Sequence, residues 1–140
     1  MKPFTVIELL NIPLYFTVGK IKKKNISLNL NTYRNLHFQV SNQVKKLMSE
    51  WILINGKNLP HIEPFVKFEY TIYRKTKRRA DLMNIGSIVD KFVSDGLVEA
   101  GILEDDSTEF IKKVGFLDGG VDKANPRADL IITKLENQCK

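Results

Sequence analysis

The sequence predicts a single α+β domain, in which a mixed β-sheet carries its two main helices on one face. Its 140 residues suffice for one hydrophobic core, and residues 1–140 are all assigned to this domain. The hydrophobic period alternates along the chain between two residues, typical of strands, and about 3.6 residues, typical of helices. The resulting order, roughly β-β-α-β-α-β-β, is typical of an α+β fold.

The first part of the chain predicts two strands, a basic loop, a turn and a helix. Strands are expected over residues 4–10 and 14–20, and the lysine-rich residues 20–24 are expected to form a loop. Residues 29–34 are polar and typical of a turn. Apolar side chains recur at helical spacing over residues 35–53, which predicts an amphipathic helix.

The later elements follow from alternation and capping signals. Residues 64–73 alternate apolar and polar side chains, so they predict a strand with one buried face. A second helix is expected over residues 81–100, with Gly101 at its C-terminal cap. Strands are expected over residues 110–117 and 128–135, and the two consecutive glycines between them are expected to begin a loop.

Charge is divided unevenly between the two parts of the chain. Residues 1–79 carry 15 Lys and Arg against 4 Asp and Glu, whereas residues 80–140 carry 7 against 12. The basic first part is suited to binding a polyanion, and the second part supplies carboxylates that could hold a metal ion. The alternative interpretation is that the uneven charge has no functional role. No apolar run is long enough to cross a bilayer, so no membrane partner is expected. The single cysteine, Cys139, excludes an internal disulfide and favours a reducing, cytoplasmic compartment.

The most informative stretch is the basic run that leads into Asp81. Five of the six residues 74–79 are Lys or Arg, and such a run at the end of a strand is suited to phosphate contacts. A solvated loop is the alternative interpretation. The carboxylate that follows the run, together with the acidic residues further along, favours a functional role.

The second helix places its polar residues in a stripe. On a helical wheel, Asp81, Asn84, Lys91 and Asp95 fall on one side, whereas Asp90 points away from both this stripe and the apolar one. Asp90 is therefore expected to be a solvated surface acid. An ordinary solvent face with an Asp95–Lys91 ion pair would give the same stripe.

Asp105 and Asp106 follow the second helix by a few residues, in a tight turn that can return a carboxylate to the sheet. Carboxylates that converge where cysteine is absent and histidine is scarce indicate an oxygen site for a hard cation. The expected cation is Mg²⁺, with Mn²⁺ as the alternative. Next to phosphate contacts, such a site predicts hydrolysis of phosphodiesters. His37 and His61 lack metal-ligand spacing and are not expected to bind the metal.

Two stretches, KRRADLMN (77–84) and DGLVEAGILEDD (95–106), resemble the RusA family of Holliday junction resolvases. A weaker match is residues 29–34, which are similar to the N-terminal DNA-contacting segment of that family. The resemblance implies a small, homodimeric, Mg²⁺-dependent endonuclease that nicks branched DNA in recombination, repair or phage DNA processing. It also implies the cytoplasm of a bacterial cell or of a phage-infected host. Residues 1–13 look like an N-terminal extension.

The resemblance implies a role for each matching residue. Asp81 matches a metal-binding aspartate, and Asp106, with Asp105 beside it, matches the closing catalytic aspartate. Lys91 keeps a spacing of four residues to Asp95, close to one helical turn, and matches the family lysine that assists at the phosphate. The expected DNA-contacting residues are Asn31, Tyr33, Arg34, Lys75, Lys77, Arg78, Arg79 and Asn84.

One position departs from the family pattern. Met83 stands where the family has the second aspartate of its Asp-x-Asp motif, and a thioether is a poor ligand for Mg²⁺. Three interpretations therefore remain: an active endonuclease, a DNA-binding protein of the same fold with a weakened site, and a basic interaction module unrelated to nucleases. The third predicts that Asp81 and Asp106 lie far apart. Two nicks in a symmetric junction favour a homodimer.

Overall fold

A four-stranded mixed sheet forms the centre of the molecule. The computed structural model describes residues 6–76 and 82–135 of the chain. In chain order, the elements of this part are β1 (Val6–Pro13), β2 (Tyr15–Val18), β3 (Lys24–Ser27), α1 (Leu30–Arg34), α2 (Phe38–Asn55), β4 (Val66–Arg74), α3 (Leu82–Glu99), β5 (Ile111–Val121) and β6 (Arg127–Lys134).

The strands of the main sheet have the order β1-β6-β4-β5, and β2 and β3 form a separate hairpin. β6 is antiparallel to both β1 and β4, whereas β4 and β5 are parallel. A parallel pair needs a crossover connection, and α3 supplies it. The predicted class, an α+β fold with a mixed sheet, is therefore confirmed. None of the helices in the described part of the chain is long and apolar enough to span a membrane.

Alternating side chains of β4 supply the core face of the sheet. Val66, Phe68, Tyr70 and Ile72 are all buried, whereas the residues between them are half-buried or exposed. Buried residues of α2 and α3 belong to the same apolar cluster, so both helices cover this face of the sheet. The period-two pattern thus predicted both the strand and its buried side.

Close packing of α3 depends on two glycines. A Cβ added at Gly86 would lie 2.4 Å from the ring of Phe116 on β5. A Cβ at Gly96 would lie 2.5 Å from Cδ1 of Ile52 on α2. Because both positions lack a side chain, α3 lies directly against the sheet on one side and against α2 on the other.

The predicted cap at the end of α3 is confirmed. Gly101 has a φ of 77°, in the left-handed region that favours glycine. Its amide donates to the carbonyl of Val98, and the amide of Ile102 donates to the carbonyl of Leu97. This pair of bonds is the Schellman pattern, which ends the helix and directs the chain into the loop over residues 102–110.

Two of the expected loops form regular structure instead. α1 occupies the expected turn. The expected basic loop over residues 20–24 does connect β2 to β3, and only its last residue, Lys24, belongs to a strand. The side chain of Asn29 accepts a hydrogen bond from the amide of Thr32 and so caps α1. β5 continues through Gly119 and Gly120 to Val121, so the glycine pair does not begin a loop.

The N-terminal stretch is part of the sheet. β1 pairs with β6 along one edge, with an irregularity between Leu9 and Ile12, and both of these side chains are buried. The amide of Asn11, within this bulge, donates to the carboxylate of Asp129 on β6. The described part of the expected extension, residues 6–13, therefore forms an edge strand of the sheet and adds two side chains to the core.

Candidate functional site

The candidate site is formed by α2, α3 and the loop that connects α3 to β5. Four residues expected at the site, Lys77, Arg78, Arg79 and Asp81, lie outside the described residues. The other expected residues have defined positions on these elements, on α1 and at the end of β4.

Several carboxylates meet at a cavity of about 290 Å³ beside the C-terminal half of α3. Asp105 and Asp106, both exposed, reach it from the loop, and Asp95 and Glu99 reach it from α3. We call it the acidic cavity, and its lining residues are Lys45, Asp95, Val98, Glu99, Asp105 and Asp106. The return of the loop after Gly101 thus brings the Asp-Asp pair beside the helix that precedes it.

Two contacts from α2 hold one wall of the acidic cavity. Nζ of Lys45 lies 3.6 Å from Oδ2 of Asp95. The hydroxyl of Ser49, which is only 4% exposed, donates to Oε2 of Glu99 at 3.2 Å. Lys45 and Glu99 were not predicted as site residues, because Lys45 and the Ser49 partner of Glu99 reach the acids only once α2 packs against α3.

Lys91 has a different position from Lys45. It is exposed on α3, and it is not one of the residues that line the acidic cavity. Asp95, for which an ion pair with Lys91 was considered, pairs with Lys45. Lys45 is therefore the lysine that stands nearest to the carboxylates in the described part of the chain.

The expectation that Asp90 is a solvated surface acid is wrong. Its Oδ1 accepts hydrogen bonds from the hydroxyl of Tyr70 at 2.6 Å and from that of Ser94 at 3.2 Å. Burial raises the pKa of the Asp90 carboxyl; the two hydroxyl bonds oppose this, and the negative charges of Asp106 and Asp95 raise it further. Asp90 therefore belongs electrostatically to the same group of acids.

The partner of Asp90 is anchored in the core. Tyr70 lies on β4, is 1% exposed, and stacks its ring on Phe116 at 5.5 Å. Burial, followed by the charge of Asp90, raises the pKa of the Tyr70 hydroxyl well above its usual value. The hydroxyl consequently keeps its proton and donates a hydrogen bond to the carboxylate, which fixes the orientation of Asp90.

The chemistry of these donors suits a hard cation, because carboxylate oxygens are the ligands that Mg²⁺ prefers. Within residues 6–76 and 82–135, however, no three His, Cys, Asp or Glu side chains are arranged around one metal position. A metal ion at the acidic cavity would therefore need one described carboxylate to turn, or a ligand from outside the described residues.

The expected DNA-contacting residues on α1 are of two kinds. Asn31 and Arg34 are exposed. Tyr33 is half-buried, and its ring packs edge-on against Phe92 of α3 with 5.9 Å between the ring centroids. Tyr33 therefore joins α1 to the helix that carries the acids, and the two exposed residues are the ones directed to solvent.

A second group of basic residues lies near the end of β4. Lys75 is exposed, and its ammonium group lies 5.3 Å from the centre of the Tyr15 ring on β2. The nearby β2–β3 hairpin adds exposed lysines at its tip, namely Lys20, Lys22, Lys23 and Lys24. Asn84, also expected at the DNA surface, is half-buried in the first turn of α3.

Comparisons of this chain with protein-family models and with curated proteins found no match.

Proposed function

We propose that this chain is a Mg²⁺-dependent endonuclease that nicks branched DNA, with Holliday junctions as its main substrate. The observation that carries the proposal is the acidic cavity. It contains Asp95, Asp105 and Asp106, the aspartates of one of the two stretches that resemble the RusA family. Basic residues of α1 and of the end of β4 accompany these acids in the same small domain. Phosphate contacts together with carboxylates that suit Mg²⁺ are what phosphodiester hydrolysis requires.

Asp81, Asp105 and Asp106 are the proposed ligands of the metal. Bound there, Mg²⁺ would polarise the scissile phosphate and activate the attacking water. The exposed Lys91 would neutralise charge that develops on the phosphate. The neighbouring acids Asp90 and Asp95 would keep the local potential negative and so attract the cation.

Asp90 is also the carboxylate that could supply the metal ligand that Met83 does not provide. Met83 is 58% exposed at the start of α3 and offers only a thioether. Both hydroxyl bonds to Asp90 end on Oδ1, so Oδ2 is the oxygen that can reach a cation. Hydrogen bonds that orient a ligating carboxylate in this way are a common feature of metal sites.

Backbone phosphates would be held by Arg34, Lys75 and the basic residues 77–79, with contacts from Asn31, Tyr33 and Asn84. A four-way junction presents two equivalent strands, so paired nicks require two sites, which a homodimer provides. The proposed setting is the cytoplasm of a bacterial cell or of a phage-infected host, in recombination, repair or phage DNA processing.

One observation favours a second candidate function, a DNA-binding protein with a weakened site. Among the described residues, the carboxylates of the acidic cavity do not form a three-ligand metal site, and Met83 removes a ligand that the family pattern contains. Such a protein would bind junctions through the same basic residues and would not cut them.

Cleavage of a synthetic four-way junction tests the proposal. The wild-type chain is incubated with labelled junction in Mg²⁺, in Mn²⁺ and in chelator, beside a linear duplex of the same sequence. We expect paired, symmetric nicks that need the metal and spare the duplex. Junction binding without nicks in either metal would select the weakened site, and Met83→Asp is then expected to restore cleavage. A chain that neither binds nor cuts the junction would overturn both candidates.

A further inference from the structure

An exposed aromatic pair stands at the start of α2. Phe38, the first residue of the helix, is 67% exposed, and its ring stacks on that of His37 with centroids 4.7 Å apart and an interplanar angle of 29°. Phe38 borders a groove of about 470 Å³, within the size range of ligand clefts. We call it the aromatic groove, and it is lined by Leu30, Tyr33, Arg34, Leu36, Phe38, Ser41 and Asn42.

The aromatic groove is held in a fixed shape. Nδ1 of His37 accepts a hydrogen bond from the amide of Gln39, so His37 is the N-cap of α2 and its ring orientation is set by the helix. On the opposite wall, Tyr33 is anchored by its edge-on contact with Phe92. An aromatic face that is already in place loses little conformational entropy when a ligand stacks on it.

The charged side chains in the stretch of chain that forms the aromatic groove are all basic. The sequence contains no Asp or Glu between Glu8 and Glu50, and this interval holds seven Lys and Arg. One of them, Arg34, is exposed and lines the groove itself. An apolar aromatic surface with a cation beside it complements a ligand that joins a flat ring to a phosphate.

The aromatic groove and the acidic cavity are neighbours along α2. Ser41 lines the groove and Lys45 lines the cavity, and residues four apart lie on the same face of a helix. From Phe38 to Lys45 the rise along the helix axis is roughly 10 Å. A ligand that extends along this face of α2 would therefore reach from the aromatic ring to the carboxylates.

We propose that the aromatic groove binds a nucleobase that has left the stack, in single-stranded DNA or at the branch point of a junction. The base stacks on Phe38, and Arg34 contacts the adjoining phosphate. Stacking of this kind tolerates any base, because every base presents a flat face. The inference rests on the proposed function in that it takes DNA as the ligand, and it adds the part of the DNA that is recognised.

Tryptophan substitution at matched positions tests stacking. Phe38→Trp puts a fluorescent ring in the aromatic groove, and Ile54→Trp puts one at the other end of α2, where Ile54 is 70% exposed. The two positions lie roughly 24 Å apart along the helix, and Trp51 contributes the same background to both variants. The probe is a single-stranded thymidine oligonucleotide whose label reports binding independently by anisotropy. We expect the oligonucleotide to quench the indole emission of the Phe38→Trp variant and to leave that of the Ile54→Trp variant unchanged.

Affinity supplies a second readout. Phe38→Leu keeps apolar bulk and loses the flat face, so we expect it to weaken binding of the oligonucleotide and of the junction roughly 5- to 150-fold, the cost of one lost base–aromatic stack. Binding of linear duplex, in which the bases remain stacked, is expected to change little. Phe38→Trp should bind the oligonucleotide as tightly as the wild-type chain.

Three outcomes would overturn the inference. The first is that anisotropy reports binding of the oligonucleotide to the Phe38→Trp variant while its indole emission is not quenched. The second is that the Phe38→Leu variant binds as tightly as the wild-type chain. Either result would show that the groove is not the stacking site. The third is that, without DNA, the indole emission of the Phe38→Trp variant shifts with protein concentration. That result would show that a second copy of the chain covers the groove. If stacking is observed but junctions are not cut, only the proposed endonuclease activity fails; if junctions are cut without stacking, only this inference fails.

Discussion

Two groups of acidic residues, one before β5 and one at its end, differ in the charges that face them. Asp118, near the end of β5, forms an ion pair with Arg74 at 3.2 Å. Asp122, the first residue after β5, forms an ion pair with Arg127 at 2.7 Å. Hydrogen bonds from these arginines lower the pKa of both carboxyls. Before β5, the acidic cavity combines Asp95, Glu99, Asp105 and Asp106 with a single lysine.

The comparison shows that the distribution of cations distinguishes the two groups. Each aspartate at the end of β5 forms an ion pair with an arginine. The Asp118–Arg74 pair connects β5 to β4, and the Asp122–Arg127 pair closes the turn before β6. Within the described residues, the acidic cavity keeps an excess of negative charge, and the pKa of neighbouring Asp90 is raised. Negative charge that the protein leaves uncompensated is available to attract a cation, and for this reason the proposed metal is assigned to the acidic cavity among the described residues.

The largest expected effect separates the two groups by activity. Asp106→Asn is expected to lower Mg²⁺-dependent cleavage of the four-way junction by roughly a hundred-fold or more, since loss of even an outer partner of a metal ligand costs about 10- to 100-fold. Junction affinity, measured by anisotropy in chelator, should remain close to that of the wild-type chain, because a carboxylate has the same sign of charge as a phosphate and does not attract it.

Asp122→Asn is the matched control for this experiment. The asparagine oxygen can still accept from Arg127, so we expect cleavage within a few-fold of wild type. Equal losses of cleavage in both variants would remove the distinction between the two groups of aspartates, and an unchanged rate for Asp106→Asn would remove the acidic cavity from the mechanism.

Much of the fold could be predicted because long periodic segments carry their own signal. β4, α2 and α3 each bury one face over nine or more residues, and the sequence pattern repeats accordingly. β3 has four residues, of which only Ile26 is buried, so it offers no pattern to recognise. α1 has five residues and no buried one, and only the cap at Asn29 could have indicated it.

The site was harder to predict, because its contacts join residues distant in sequence. The position of Asp95, Asp105 and Asp106 around one cavity agrees with a helix followed by a tight return. The helical wheel misassigned Asp90 because it gives the direction of a side chain but not the residues of other elements in that direction. In the structure, Tyr70 of β4 occupies that position and donates a hydrogen bond to Asp90. Lys45 likewise comes from α2, whose packing against α3 depends on Gly96 and could not be inferred from local sequence.

A smaller effect concerns the bond that holds Asp90 in place. Tyr70→Phe removes the hydroxyl that donates to Oδ1 and leaves the carboxylate only its bond from Ser94. We expect the free energy of unfolding, measured with urea, to fall by about 1–3 kcal/mol, the range for a buried bond to a charged group. Tyr73→Phe is the matched control, because the Tyr73 ring lies 3.9 Å from the guanidinium of Arg127 and keeps that contact without its hydroxyl. Equal losses in the two variants would mean that the bond to Asp90 contributes nothing specific.

The smallest expected effect is a difference in pH dependence between Asp90→Asn and Asp122→Asn, measured as unfolding free energies in chelator. The pKa of Asp90 is raised in the folded protein, so its contribution to stability is present below the unfolded pKa, about 4, and is lost as pH rises through the folded value. The pKa of Asp122 is lowered, so its contribution is present above the unfolded pKa and is lost as pH falls through the folded value. Asp90→Asn should therefore gain stability relative to wild type as pH rises above about 4, whereas Asp122→Asn should lose relative stability as pH rises towards about 4 from below. Slopes of the same sign in both variants would contradict the view that one carboxylate is left uncompensated and the other is neutralised by its arginine.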